Sequence, residues 1–176
     1  HENNCDITMW TKFEEEANYL NTTRVSPNLK NIKIDKNIKI TTNFEECITD
    51  AELIVIAIPA AFVEDVVSNK LQHYIKNNQH ICIASKGIEQ GTCSFVYDIL
   101  TRYIDSEKVA VISGPSFAVD IASLCPIGLA LATTNDETDH LIKQTLQNDY
   151  LKLRSTHDIV GVELCGSIKN VIAIAA

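Results

Sequence analysis

The sequence predicts an α/β protein with a doubly wound, Rossmann-like sheet that is mostly parallel in its first part. Segments with strand character alternate with segments of helical periodicity along all 176 residues. Residues 53–58 and 80–84 are largely apolar runs rich in branched side chains, which is typical of central parallel strands covered on both faces. Because ligands bind beyond the carboxyl ends of such strands, the residues after each strand are the first candidates for a site.

Each predicted element rests on a local pattern. Alternation of polar and apolar residues predicts the outer strands, Asn43 is a good helix cap, and Pro59 ends the apolar run before it. Apolar residues spaced by three and four predict amphipathic helices between the strands. The expected strands are 5–10, 38–42, 53–58, 80–84, 109–112, 127–132 and 151–154. The expected helices are 13–20, 44–48, 62–77, 92–104, 116–123, 136–147 and 158–176.

Composition limits the partners that we expect. The net charge is -8 and no basic run is present, which argues against a nucleic-acid or anionic-membrane partner. No apolar window is long enough for a membrane span, and no signal peptide opens the chain, so we expect a cytoplasmic protein. The six cysteines and five histidines are dispersed, so no metal site is expected. Most of the cysteines lie in apolar runs and are interpreted as reduced core residues.

The last predicted helix, residues 158–176, is almost entirely apolar. Asp158 is a good N-cap, and from residue 159 onward the helix carries only two charged side chains, Glu163 and Lys169. A helix that is apolar nearly all round is expected to be buried. Its predicted core face contains Val160, Leu164, Ile168, Val171 or Ile172, and Ala175.

Lys169 is the first candidate for chemistry. A lysine partly removed from water has its charged form disfavoured, which moves its pKa toward the working pH and suits it to general acid or base catalysis. Gly166, three residues earlier, leaves a gap through which another molecule could approach. The alternative is a lysine that extends its ammonium group to the surface and has no further role.

Three predicted strand ends carry residues suited to ligand binding. They are Pro59, the triplet Ser85, Lys86 and Gly87, and the turn from Ser113 to Ser116. In that turn Gly114 permits close backbone approach, and the following helix start at Ser116 favours an anion. Each of these is also compatible with an ordinary βα turn, but three at one sheet edge, together with a buried lysine, favour a site.

Four separated motifs then resemble a known family. Residues 162–173 closely resemble the lysine helix of the NAD(P)-dependent glycerol-3-phosphate dehydrogenases of bacterial type. Residues 113–118 resemble the central turn of that family, residues 85–91 its strand-end lysine motif, and residues 8–10 the close of its second strand. The motifs follow one another in the family's order across essentially the whole chain.

The resemblance implies an enzyme that interconverts glycerol 3-phosphate and dihydroxyacetone phosphate with NAD or NADP, for glycerophospholipid precursor synthesis. It implies that Lys169 accepts the proton of the substrate's C2 hydroxyl in oxidation and returns it in reduction. The implied substrate contacts are Lys86, Gly114, Ser116 and Lys169. The implied cofactor contacts are Lys12, Phe13, Phe62, Lys86 and Ala118.

The resemblance also implies a division into residues 1–155, a dinucleotide-binding domain, and residues 156–176, the start of a C-terminal helical substrate domain. The family's first strand with its glycine-rich loop would precede residue 1, and most of the helical domain would follow residue 176. We therefore expect this segment alone to be inactive, and the helical domain allows a homodimer. Two alternatives remain: another two-domain dehydrogenase of the β-hydroxyacid type, and a non-catalytic truncated domain.

Overall fold

The computed structural model describes residue 3, residues 5–29 and residues 32–175, without the side chains of residues 170, 172 and 173. Ala176, the predicted end of the last helix, and the side chain of Ile172 lie outside these described residues. The strands are β1 Thr8–Trp10, β2 Lys39–Thr41, β3 Leu53–Ile56, β4 His80–Ile83, β5 Val109–Ser113, β6 Ile127–Ala132 and β7 Leu151–Thr156. The helices are α1 Glu14–Thr23, α2 Phe44–Ile48, α3 Val63–Val66, α4 Gln72–Tyr74, α5 Val96–Leu100, α6 Ala118–Ala122, α7 Asp136–Leu146 and α8 Ile159–Ala175. Short 3₁₀ turns occupy Ala60–Phe62 and Ser106–Lys108, and a π turn at Val67–Leu71 joins α3 to α4.

The strands form two sheets in the described part of the chain. One has five strands in the order β3-β4-β5-β6-β7, and the other contains β1 and β2 in parallel. Strands β3, β4 and β5 are parallel, β6 is antiparallel to β5, and β7 is parallel to β6. This arrangement confirms the predicted Rossmann-like sheet that is mostly parallel in its first part.

The pairing register of the strands determines which turns lie side by side at the carboxyl edge of the sheet. Ile56 pairs with Ile83, and Ile83 pairs with Val111, so these three strands leave the sheet side by side. The turn that contains Lys86 therefore lies next to the turn after β5 that contains Gly114.

The core has a layer of helices on each face of the five-stranded sheet. On one face a cluster joins α3, α5 and α8 to the strands, with Val63, Ile99 and Val162 among its buried members. On the other face α7 places Ile142 against Cys82 of β4. All four residues of β4 are buried, so the prediction of a strand covered on both faces is confirmed there.

Strand β3 does not meet the same prediction. It ends at Ile56 instead of residue 58, and Val55 is 47% exposed. The reason is position, because β3 is the outermost strand of the five-stranded sheet and, among the described residues, pairs with β4 alone. A run of branched apolar residues predicts a strand but does not by itself predict how much of it is covered.

The helix predicted at 92–104 is also shorter, since α5 covers only Val96–Leu100. The Glu89 carboxylate accepts the backbone amides of Gly91 and Thr92, at 2.8 and 2.6 Å, and holds those residues in a loop. A bridge between Ile88 and Phe95 closes this loop. The local hydrogen-bonded turn is therefore favoured over the first turn of the predicted helix.

Helix α8 forms where it was predicted but presents a different face. Ile159, Val162 and Glu163 are buried, whereas Val160 is 61% exposed and Leu164 is also exposed, so the predicted core face is wrong. Periodicity could not separate the two faces, because both are apolar. The packing that chooses between them is a close contact between Gly166 and the end of β5.

The prediction that most of the cysteines are core residues is also wrong. All six are free, and Cys82 is buried as expected, but Cys93, Cys125 and Cys165 are exposed.

Within the described ranges, no three His, Cys, Asp or Glu side chains come together where they could hold a metal ion. No helix in the same part of the chain has the length and apolar character needed to cross a membrane.

Candidate active site

Two lysine amines meet at one backbone carbonyl beyond the carboxyl ends of β4 and β5. The Lys86 ammonium donates to the Ser116 hydroxyl at 3.0 Å and to the Gly114 carbonyl oxygen at 3.4 Å. The Lys169 ammonium approaches the same Gly114 oxygen at 3.5 Å. The structure thus brings together all four residues that were predicted as substrate contacts.

The turn after β5 gives this carbonyl its position. The Ser116 amide donates to the Gly114 oxygen at 2.9 Å, which folds the chain back immediately after the strand. A side chain at Gly114 would place its Cβ 2.9 Å from Cδ2 of Leu129 and 3.1 Å from the Gly128 oxygen. Glycine therefore allows the turn to pack closely against β6, a reason that differs from the ligand approach inferred from the sequence.

Helix α8 carries Lys169 to the turn by lying very close to β5. A Cβ built on Gly166 would lie 2.4 Å from Oγ of Ser113, so the helix backbone touches the last residue of the strand. The Lys169 side chain is half-buried, and its amine also lies 5.5 Å from the centre of the Phe117 ring. That contact is a cation–π interaction, which together with the Gly114 carbonyl keeps the amine at the turn.

The two amines lack negative partners in the described part of the chain. No ion pair there joins Lys86 or Lys169 to a carboxylate. Burial lowers the pKa of Lys86 from its ordinary value, and the hydrogen bond to Lys169 and the repulsion from that amine lower it further. Each ammonium has three N–H groups; Lys86 uses two of them and Lys169 one in the hydrogen bonds described above, so the remaining donors are available to an anionic ligand.

A small pocket lies next to the lysines, between α8 and the sheet. Its lining includes Lys86, Ser113, Glu163 and Ser167. The Ser113 hydroxyl is buried and has no hydrogen-bond partner among the described residues. A buried hydroxyl without a partner costs free energy, so this atom calls for an explanation.

Glu163 is the carboxylate of this pocket. Its Oε1 accepts the backbone amide of Tyr97 at 3.0 Å, which ties α8 to the first turn of α5. Burial raises the pKa of Glu163 to about 7, and the nearby charge of Asp98 also raises it, while the amides of Tyr97 and Val96 act in the opposite direction. Sequence reasoning did not assign Glu163 to a site, although its place in an apolar helix was a usable indication.

The predicted cofactor residues other than Lys86 lie at three further chain positions. Lys12 and Phe13 follow β1, Phe62 ends the 3₁₀ turn after β3, and Ala118 begins α6. Phe13 and Phe62 are 65% and 59% exposed. The cofactor roles of these four residues stay predictions.

The fold gathers polar and basic residues beyond the carboxyl ends of its parallel strands. These features place the chain in the Rossmann-like class of α/β proteins. A family model described as the N-terminus of NAD-dependent glycerol-3-phosphate dehydrogenase matches residues 1–139. The chain therefore belongs to the NAD-dependent glycerol-3-phosphate dehydrogenase family.

Curated relatives agree with this family. The chain is 34% identical to glycerol-3-phosphate dehydrogenase [NAD(P)+] of Lactobacillus helveticus, an alignment that covers 99% of this chain and 53% of the relative. It is 31% identical to the enzyme of that name from a Wolbachia strain of Drosophila simulans, over 97% of this chain and 52% of the relative. The chain thus spans about half the length of the relatives that it matches.

Solved structures show the same architecture. The crystal structure of glycerol-3-phosphate dehydrogenase from Coxiella burnetii superimposes with a TM-score of 0.86 and 25% identity, over 97% of this chain and 52% of that chain. The yeast glycerol-3-phosphate dehydrogenase gives a TM-score of 0.80 at 20% identity, over 95% of this chain and 52% of that chain. The second likeness concerns the fold alone.

Proposed function

We propose that the protein is an NAD(P)-dependent sn-glycerol-3-phosphate dehydrogenase, which interconverts glycerol 3-phosphate and dihydroxyacetone phosphate. The observation that carries this proposal is the meeting of Lys86 and Lys169 at the Gly114 carbonyl. A phosphorylated three-carbon substrate is anionic and offers oxygens to both amines. The family and the names of the relatives support the same substrate and cofactor.

Oxidation at C2 removes a hydride from carbon and a proton from oxygen. Lys12, Phe13, Phe62, Lys86 and Ala118 would hold NAD or NADP, which would supply the hydride acceptor for oxidation and the hydride donor for reduction. Lys169 accepts the hydroxyl proton as a free amine and, in reduction, donates a proton to the carbonyl oxygen as an ammonium. Lys86 and Ser116 bind substrate oxygens and hold the reacting carbon within reach of Lys169.

The chain offers surfaces that suit a dinucleotide. Phe13 and Phe62 expose aromatic rings directly beyond the ends of β1 and β3, where Rossmann-like proteins bind nucleotides. Lys12 is exposed beside Phe13 and is compatible with either a ribose hydroxyl or a 2′-phosphate, so both NAD and NADP fit. Ala118 presents only a methyl group at the start of α6, which leaves room for a cofactor.

The wider assignments belong to the same proposal. Residues 1–155 form the dinucleotide-binding domain, and residues 156–176 begin a helical substrate domain through which the protein forms a homodimer. The enzyme acts in the cytoplasm and supplies glycerol 3-phosphate for glycerophospholipid synthesis. Its acidic net charge of -8 supports small-molecule substrates over nucleic acid.

The direct test is an assay of the full-length protein for reduction of dihydroxyacetone phosphate with NADH and with NADPH. Absorbance at the nicotinamide band reports turnover, and 3-hydroxy acids are assayed in parallel in the oxidative direction. Turnover of the phosphorylated substrates supports the proposal. Turnover of 3-hydroxy acids alone identifies a β-hydroxyacid-type dehydrogenase, and absence of any nucleotide binding identifies a non-catalytic domain.

A further inference from the structure

We propose that Ser113, Glu163 and Ser167 form a buried binding site for an ordered water molecule beneath the two lysines. We further propose that Glu163, through this water, is a positioning residue for Lys86 and Lys169. The water site stands on packing alone, whereas the effect on the lysines rests on the proposed function.

The first observation is the unpartnered hydroxyl of Ser113. The residue is only 8% exposed, and its Oγ has no hydrogen-bond partner within the described chain. This hydroxyl lines the pocket that α8 covers, and Gly166 lies directly above it. Buried polar groups in folded proteins are nearly always satisfied, and a water is the usual partner where the surrounding groups are polar.

The second observation is the chemistry of the surrounding groups. A buried water usually makes about three hydrogen bonds. The Ser113 hydroxyl and the Glu163 carboxylate can supply two of them. The Ser167 hydroxyl donates to the Glu163 carbonyl at 2.9 Å, and its oxygen retains the capacity to accept a third.

The third observation links this site to the amines. Lys86 lines the same pocket as Glu163, and Lys169 lies on the same helix as Glu163, two turns further along. Glu163 also accepts the Tyr97 amide, so one side chain joins α8 to the helix that follows the Lys86 loop. A shift of the Glu163 carboxylate therefore moves α8, which carries Lys169, relative to the turn that carries Lys86.

The charges around Glu163 come from three elements. Asp98 and Tyr97 approach from α5, Lys86 from the turn after β4, and Glu163 itself is on α8. Asp98 disfavours the ionised carboxylate, whereas the backbone amides of Tyr97 and Val96 favour it. Glu163 therefore ionises in a pocket whose lining also includes Lys86.

The water itself is tested by a crystal structure of the full-length protein at a resolution that shows ordered solvent. We expect one water within hydrogen-bond distance of both Ser113 Oγ and the Glu163 carboxylate. An empty, dry pocket overturns the proposal. A direct hydrogen bond from Ser113 to a protein atom also overturns it, because the hydroxyl would then need no water.

Urea denaturation gives an independent reading with Ser113→Ala. If the hydroxyl binds a water, its removal lowers the unfolding midpoint, with a loss of about fivefold in the folding equilibrium constant. If the hydroxyl is dry and unsatisfied, its removal raises the midpoint and the proposal fails. Ser123→Ala, at an exposed serine just after α6, is the matched control and leaves the midpoint unchanged.

Kinetics of Glu163→Gln and Glu163→Leu test the positioning role. Gln keeps an oxygen for the Tyr97 amide and a polar group for the water, so its kcat stays within about threefold while the pH profile of kcat shifts. The Glu163→Leu variant removes both the oxygen for the Tyr97 amide and the polar group for the water. It lowers kcat about tenfold or more without changing the KM for the nucleotide. Equal pH profiles for the wild type and Gln, with an unchanged kcat for Leu, overturn the positioning role.

These experiments distinguish failure of the proposed function from failure of the water site. A full-length wild-type protein that turns over neither phosphorylated substrate refutes the proposed function, and the crystal structure and the urea midpoints still decide the water site. An active enzyme with a dry pocket refutes only the water site.

Discussion

Lys86 and Lys169 bring two like charges to a single carbonyl oxygen, an arrangement that folding alone does not favour. Neither lysine has a carboxylate partner in the described residues, and the pKa of Lys86 is lowered by burial and by its neighbour. Repulsion of this kind is relieved when an anion binds between the amines. The repulsion between the two amines therefore destabilises the free protein, and binding of an anion would remove this cost.

Replacement of Lys169 by Ala tests its assignment as the proton acceptor. We expect kcat of the full-length enzyme to fall by about 10² to 10⁴, because a positioned acid or base contributes that much. Nucleotide binding, measured by fluorescence of the reduced cofactor, should be nearly unchanged. Lys152→Ala, at an exposed lysine of β7, is the control and should keep the wild-type kcat. A Lys169→Ala variant with wild-type kcat would refute the assignment.

Replacement of Lys86 by Met keeps the length of the side chain and removes its amine. The KM for dihydroxyacetone phosphate should rise and kcat/KM should fall by about 10² or more, since a charge-assisted contact to the substrate is lost. The melting temperature should not fall, because the amine that is lost is a repulsive neighbour of Lys169. An unchanged kcat/KM would remove Lys86 from the site.

At the scale of elements, one glycine, Gly166, sets the distance between helix α8 and strand β5. Gly166→Ala would place a methyl group 2.4 Å from the Ser113 hydroxyl, so the serine must rotate or the helix must move away. We expect a loss of stability of about 1 to 3 kcal/mol and a lower kcat, since Lys169 moves with the helix.

The same contact offers a rescue experiment. Ser113 Cβ would lie 3.5 Å from the new methyl group, an ordinary contact, so only its hydroxyl obstructs the change. Adding Ser113→Ala to Gly166→Ala should therefore restore most of the stability that Gly166→Ala loses, and urea denaturation of the four proteins of the cycle measures the coupling. Strictly additive effects would show that α8 does not rest on this contact.

Across the whole molecule, stability depends on pH through two buried groups that act in opposite directions. Burial and the charge of Lys108 lower the pKa of His80 below its ordinary value of 6.5, so its contribution is present above that pH and is lost as the pH falls. The pKa of Glu163 is raised from 4.5 to about 7, so its contribution is present below pH 4.5 and is lost as the pH rises through 7.

Glu163→Gln separates these two contributions. At pH 8 it should raise the free energy of unfolding by about 1 to 2 kcal/mol, a value below the full pKa shift because water and nearby cations offset part of the cost. At pH 4 the change should be small, since both states are protonated there. Ser123→Ala, at an exposed and non-titrating position just after α6, is the control and should give no difference between the two pH values. A pH-independent effect of Glu163→Gln would contradict the raised pKa.

Much of the fold follows from the sequence because local patterns report local structure. The runs at β4, β5 and β6 and the Asn43 cap mark strands and a helix start without any knowledge of neighbours. Strand ends then place Lys86 and Gly114 at one edge, because parallel strands leave a sheet side by side. The order of the elements and the meeting of these two turns were therefore predictable.

The sequence by itself determined the sheet and the residue types at its carboxyl edge, since these depend on periodicity and chain order. Only the tertiary structure decided which face of α8 is buried, how far β3 is covered and where the Ser113 hydroxyl points. It also decided the pKa of Glu163, which arises from burial between α8, α5 and β5. These quantities depend on which surfaces come into contact across the chain, and an apolar helix with two equivalent faces carries no local information about that choice.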